Sequence, residues 1–298
     1  MKRSLCLILG LLLVSVFANA ANLDVNCALP GKAGSIMDTL RQLDPAGPNV
    51  VTLHGTCHEN LVIHNFDRLT LRGAPGAEIS DASGGTEWAV VLISDSRRIR
   101  VRGLKITGGM VGIECTDGSR CEFGMNTLEG QSQRGFSIDQ SEATFNGDVV
   151  TGSADTGLYI SVSKAQMTGV TAEQNKTGMN IGTSSVVADN MTINNNTETG
   201  IFVSTNSHLQ LIDSNVSFNG MNGIQATAVT SLSLVNNTVT GNFMSGVWAS
   251  DIVTMYFVGG NYSGNDIPGI NFNIGCYGKY ALVSNLSSAV YGTTNCTQ

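Results

Sequence analysis

Arg134-Gly135-Phe136-Ser137-Ile138, Thr156-Gly157-Leu158-Tyr159-Ile160, Thr177-Gly178-Met179-Asn180-Ile181 and Thr199-Gly200-Ile201-Phe202-Val203 are four copies of one phrase. Each is a glycine followed by apolar residues at alternate positions. Val111-Gly112-Ile113, Asn222-Gly223-Ile224, Ser245-Gly246-Val247 and Pro268-Gly269-Ile270 extend the set to eight, with steps between glycines of 23, 22, 21, 22, 23, 23 and 23 residues. A fixed period of this size marks a solenoid, in which each repeat packs only on its neighbours.

The content of one period decides which solenoid. Period-two alternation after the glycine reads as a strand with one face inward. A second alternating piece follows in Ala165/Met167, Val186/Ala188 and Leu209/Leu211, and a third in Val170/Ala172, Met191/Ile193 and Val216/Phe218. No segment of the region carries helical spacing, which excludes leucine-rich, ankyrin and tetratricopeptide repeats. Two or three short strands per coil describe an all-β, right-handed parallel β-helix, the hand following from the crossover preference of parallel strands. Asn196, Asn219, Asn242 and Asn265 recur at 23 residues, and amides stacked at the ~4.8 Å strand spacing can bond along the axis.

Outward from this core, coils begin at Val50, and 50–298 at this period gives one domain of about eleven coils. Residues 21–49 form an N-terminal cap. Within it Ser35, with Asp38 three residues on, opens a short helix whose Ile36, Met37, Leu40 and Leu43 share a face. Such a helix would cover the open edge of the first coil. Residues 1–20 read as a signal peptide: Lys2 and Arg3, an apolar run, then Ala18-Asn19-Ala20, with cleavage after Ala20. The expected product is secreted, extracellular or periplasmic, with no membrane span.

The whole chain has 16 basic and 23 acidic residues. An acidic balance argues against nucleic acid as a partner. Beyond the leader, Cys27, Cys57, Cys115, Cys121, Cys276 and Cys296 form an even set, a disulfide signature in an exported chain. Six cysteines allow fifteen connectivities; their distribution favours the local pairs Cys27–Cys57, Cys115–Cys121 and Cys276–Cys296.

The Gly-apolar-x-apolar coils and the asparagine row resemble bacterial, secreted right-handed parallel β-helix proteins of the pectate-lyase-like superfamily. Gly55-Thr56-Cys57-His58-Glu59-Asn60-Leu61-Val62-Ile63, followed by Leu69-Thr70-Leu71-Arg72-Gly73, is similar to that superfamily's opening coils. Cys57 stands where the usual phrase has an aromatic. The resemblance implies an architecture that hosts lyases, hydrolases, esterases, epimerases, phage tailspikes and non-catalytic surface proteins, so function has to come from the site.

Several residue sets compete for that site. His54, His58 and His64 with Glu59 would need converging imidazoles to hold a metal, which a strand does not provide; the expectation is no metal and no cofactor. Arg98, Arg100 and Arg102 alternate in sequence and place three guanidiniums on one outward face, either a solvated face or a clamp for an acidic polymer. Carboxylates for glycosidic cleavage reduce to Glu114 and Asp139 on adjacent coils, and Asp155 with Glu198 two coils apart. None sits in an evident apolar pocket. The Asn-Thr-Asp, Asp-Asp, Gly-His-Gly and Arg-Ile-Lys set of polygalacturonases and the Asp-Pro-His of mannuronan epimerases are missing.

The sharpest feature is the outward row two residues after each repeat glycine: Glu114, Ser137, Tyr159, Asn180, Phe202, Gln225, Trp248 and Asn271. From Tyr159 on, aromatics alternate with amides, and rings would recur at roughly 10 Å, twice the strand spacing. Two units of an extended polysaccharide span about that length. The expectation is non-catalytic binding of polysaccharide or cell-envelope glycan along this face. A polysaccharide-active hydrolase or lyase using the outward carboxylates is the alternative, and a purely structural surface protein a second one.

Overall fold

A computed structural model describes residues 20–28, 34–228, 230–251, 253–265, 273–277, 282–284 and 296. Residues 1–19 of the stretch read as a signal peptide, the eighth repeat glycine Gly269 and Asn271 lie outside them.

The chain winds as a solenoid of three parallel sheets. Twelve strands run from Asn22–Asn26 to Leu282–Ser284, ten from Leu61–His64 to Ile274–Tyr277, and eight from Thr56–His58 to Asn215–Ser217. Each successive coil adds one strand to each sheet, so residues one period apart become axial neighbours. Leu158, Met179, Ile201, Ile224 and Val247 are consecutive register partners, as are Ala165, Val186, Leu209 and Leu232. All of these are buried in one continuous core. Phe123, Phe136 and Phe145 fill its middle as a mutual cluster with centroids 4.9–5.1 Å apart.

Seven coils carry all three strands, and two more meet the third sheet only through the isolated bridges of Thr238 and Asn261. That gives nine full turns among the described residues, not eleven. The shortfall lies at the ends: the coil of Asn49–His54 and Thr56–His58 has no strand in the ten-stranded sheet.

The repeat glycines answer to close approach. A Cβ on Gly178 would stand 2.6 Å from Gly200 O and 2.8 Å from Asn196 Nδ2; one on Gly200 would stand 2.6 Å from Gly223 O and 2.7 Å from Asn219 Nδ2. Each glycine therefore lets the next coil's carbonyl and asparagine amide sit against its Cα. The asparagine row is a buried ladder, longer than the four residues read from sequence. Nδ2 of Asn175, Asn196, Asn219 and Asn242 each donates to the next Oδ1, at 3.2, 2.9, 2.9 and 2.8 Å. At its end Asn265 N donates to Asn273 Oδ1 at 2.8 Å. Asn175, one of eight Asn-x-Ser/Thr sites, is thus held inside the rod.

A serine ladder lines the corner between the ten- and twelve-stranded sheets. The N–H groups of Ser96, Ser119, Ser141, Ser163 and Ser184 each donate to the next serine's Oγ, at 2.9–3.3 Å. These buried hydroxyls and amides satisfy the backbone where the sheets turn and cannot pair.

The cap helix spans Ile36–Arg41, shorter than the stretch to Leu43, with Ser35 Oγ accepting from Asp38 N. It packs against the strands Asn22–Asn26 and Leu61–His64. Glu59, grouped with the histidines in sequence, instead caps this helix: its carboxylate accepts from Ile36 N at 2.9 Å and Met37 N at 3.1 Å. The disulfides are Cys27–Cys57, Cys115–Cys121 and Cys276–Cys296. Cys115–Cys121 joins the ten- and twelve-stranded sheets across one corner. No helix among the described residues is long and apolar enough to cross a membrane.

Candidate functional site

The outward row of the ten-stranded sheet is in register: Glu114, Ser137, Tyr159, Asn180, Phe202, Gln225 and Trp248 are successive partners. Below Trp248 the partner is Gly275. Tyr159, Phe202 and Trp248 are half-buried, as are Asn180 and Gln225 between them. Parallel pairing gives a strand spacing of about 4.8 Å, so the rings recur at roughly 10 Å. Two of the three are backed on one side. Tyr277 stacks on Trp248 with centroids 5.5 Å apart, and Arg134 covers Tyr159 with its guanidinium carbon 3.5 Å from the centroid. Gln225 Oε1 accepts from Asn222 Nδ2 and Thr199 Oγ1, which fixes its amide.

At the head of the row a compact polar cluster departs from what the residues suggest singly. Glu114 is half-buried, and burial pushes its carboxyl above the usual carboxylate range. The Trp88 indole, the Arg134 charge and the Ser137 hydroxyl work against that shift, while the Asp139 charge adds to it. Arg134 Nη1 donates to Ser137 Oγ, which donates in turn to Glu114 Oε1 at 3.5 Å. Arg134 Nε is buried with no hydrogen-bond partner among the described residues. The partial burial of Glu114 is a property of the folded coil that the residues alone did not reveal. Trp88 comes from the preceding coil and Arg134 from the following one, and only the register brings them together.

Glu114 and Asp139 are close enough to interact, whereas Asp155 is exposed and stands apart. Between Asp155 and Glu198 runs Lys176, whose Nζ is 3.8 Å from Glu198. Missed in sequence were Trp88, Arg134 as a platform over Tyr159, and Tyr277. The one available signal was an arginine immediately before a repeat glycine, where the other copies have Val, Thr, Asn, Ser or Pro.

The remaining candidates disperse. His54, His58 and His64 stand on three different sheets and meet Asp24, Ser80 and Ser94 respectively. Arg98 sits in the left-handed region (φ 57) ahead of its strand, where it clasps Asp67, and lines the same surface hollow as Arg100. Arg100 pairs with Glu122 at 2.6 Å, and Arg102 stays exposed.

Residues 111–261 match the family described as right handed beta helix region. That is half of the chain and contains the whole row from Glu114 to Trp248. The chain belongs to the right-handed β-helix family. Among solved structures it is similar to the A-module of mannuronan C-5 epimerase AlgE4 from Azotobacter vinelandii, at 16% identity and TM-score 0.67, covering 80% of this chain and 75% of that one. The AlgE6 A-module of the same organism follows at 14% identity and TM-score 0.60, covering 80% and 73%. The periplasmic alginate epimerase AlgG is similar at 14% identity and TM-score 0.50, covering 88% and 83%. No curated protein matches the sequence. At these identities the similarity shows the fold.

Proposed function

We propose that this β-helix protein is exported and binds an extended polysaccharide along the outer face of its ten-stranded sheet. The observation that carries the reading is the row itself: Tyr159, Phe202 and Trp248 in register, with Asn180 and Gln225 on the strands between. Half-exposed rings backed by Arg134 and Tyr277 offer apolar faces to the C–H side of a sugar. The interleaved amides offer donors and acceptors to its hydroxyls. Three disulfides favour an oxidising compartment. Two of the similar structures are modules of a mannuronan epimerase and one is a periplasmic alginate epimerase, which agrees with a polysaccharide ligand and an envelope or extracellular location. Electrophoresis through gels containing each member of a polysaccharide panel tests this. At least one polymer should retard the protein, and Trp248→Ala should abolish most of the retardation; equal retardation of both would assign the row a structural role.

A second reading is favoured by one observation. Glu114 is desolvated, holds its proton more tightly than an ordinary carboxyl and lies near Asp139, Arg134 and Tyr159. A carboxyl of this kind can act as a general acid, which would make the same face the cleft of a polysaccharide-active enzyme. New reducing ends, or unsaturated products seen by ultraviolet absorbance, would establish it. Glu114→Gln should then retain retardation and lose product.

A further inference from the structure

A groove of about 690 Å³ runs along the opposite margin of the ten-stranded sheet, at the corner where the chain turns into the twelve-stranded one. Arg97, Arg120, Lys164 and His208 line it, with Glu142 its single carboxylate. The chain as a whole carries 23 acidic against 16 basic residues, so this cationic corner runs against the general balance.

Its polar side chains are ordered by the register. Arg120, Glu142, Lys164, Ser185 and His208 are consecutive partners on five adjacent strands. Arg120, Lys164 and His208 therefore recur at every second strand, roughly 10 Å apart. Arg120 shares its charge with Glu142 at 2.9 Å. Lys164 and His208 lie exposed on the same line. Beside Lys164, on the same coil, the corner presents Val162, a β-branched residue held at φ 50 and 54% exposed. Such a residue in the left-handed region is an outlier, and strain of this kind concentrates at binding sites. On neighbouring coils the left-handed turn residues are Gln140 and Thr183, so Val162 sets one apolar contact in the centre of a polar groove.

We propose that this corner groove binds a second, anionic glycan, one bearing a carboxylate or sulfate on every second sugar. Two sugars of an extended chain match two strand spacings, so successive anionic groups would meet Arg120, Lys164 and a ring N–H of His208 in turn, while Val162 supports the sugar face beside Lys164. The site is independent of the aromatic row, which lies on the flat of the sheet.

The test is fluorescence anisotropy of a labelled hyaluronan oligosaccharide, which carries one carboxylate per disaccharide, titrated with the full-length protein at low and at physiological ionic strength. Binding is expected, weakening with salt, at least about tenfold weaker for Lys164→Glu, and unchanged for Trp248→Ala. His208→Glu gives the same reading should Lys164→Glu fail to fold, as checked by thermal melting. Absence of binding, wild-type affinity in both charge variants, or equal affinity for single-stranded DNA would overturn the proposal. Loss of binding in Trp248→Ala would move the ligand to the aromatic face and overturn it as well.

Discussion

The guanidinium of Arg134 lies over the ring of Tyr159 on the next coil, its central carbon 3.5 Å from the ring centroid. The same guanidinium reaches Ser137 and sits in the field of Glu114. One side chain thus ties the aromatic row to the half-buried carboxyl at its head. Arg134→Gln should cost about 1 kcal/mol of stability through the lost cation–π contact. It should also raise the titration midpoint of Glu114 further, because the charge that favours the carboxylate is gone. Carboxyl NMR titration of Glu114 in both proteins checks the shift; an unchanged midpoint would deny the coupling.

A buried carboxylate makes stability depend on pH. Asp148 lies in the core margin, where Oδ1 accepts from Asn126 N and Nδ2 and Oδ2 from Asn146 N, yet burial raises its pKa to about 6. Folding therefore raises the proton affinity of this group. The stability it contributes is fully present below the unfolded value of 3.8 and is lost as pH rises through about 6. At about 1.4 kcal/mol per unit the loss is on the order of 3 kcal/mol. Asp148→Asn keeps an oxygen for the Asn126 donors and cannot ionise. Denaturation midpoints measured across this window should fall for the wild type and run flatter for the variant.

The amide ladder should be the most sensitive polar element. Asn219 Oδ1 accepts from both Asn196 N and Asn196 Nδ2, and its own Nδ2 donates to Asn242 and to Ile193 O. Asn219→Ala strands several buried partners at once, each costing roughly 1–3 kcal/mol, for a total of about 3 kcal/mol or more. Asn190→Ala, at an exposed left-handed turn position, should cost far less. Urea midpoints of the two variants measure the difference.

Close approach should decide which glycines tolerate a methyl group. At Gly178 a Cβ meets Ile193 Cγ2 at 2.5 Å and Gly200 O at 2.6 Å, whereas at Gly182 the nearest atom is Ser204 Oγ at 3.9 Å. Gly178→Ala should lose about 1–3 kcal/mol by overpacking, and Gly182→Ala should be close to neutral. Thermal melts of the pair distinguish packing from simple glycine flexibility.

Much of this architecture could be read from the residues because a coil of constant length turns axial neighbours into a sequence period. That is why the glycine phrase, the asparagine row and the three local disulfides were legible. The serine ladder has the same period, Ser119, Ser141, Ser163, Ser184, but serine is common in turns and carries no hydropathy signal. Contacts offset from the register were hidden: Trp88 to Glu114 and Arg134 to Tyr159 join adjacent coils at unequal positions along the strand. The row's end was also misplaced. Trp248 is followed by Gly275, since the last connection departs from the 23-residue period.

The aromatic face itself can be watched directly. The chain has two tryptophans, Trp88 and Trp248, so Trp88→Phe leaves Trp248 as the sole indole reporter on the row. Titrating that variant with a polysaccharide that retards the protein should shift and quench the emission saturably, with a midpoint equal to the dissociation constant found by calorimetry. Full binding by calorimetry with an unchanged Trp248 emission would contradict the account.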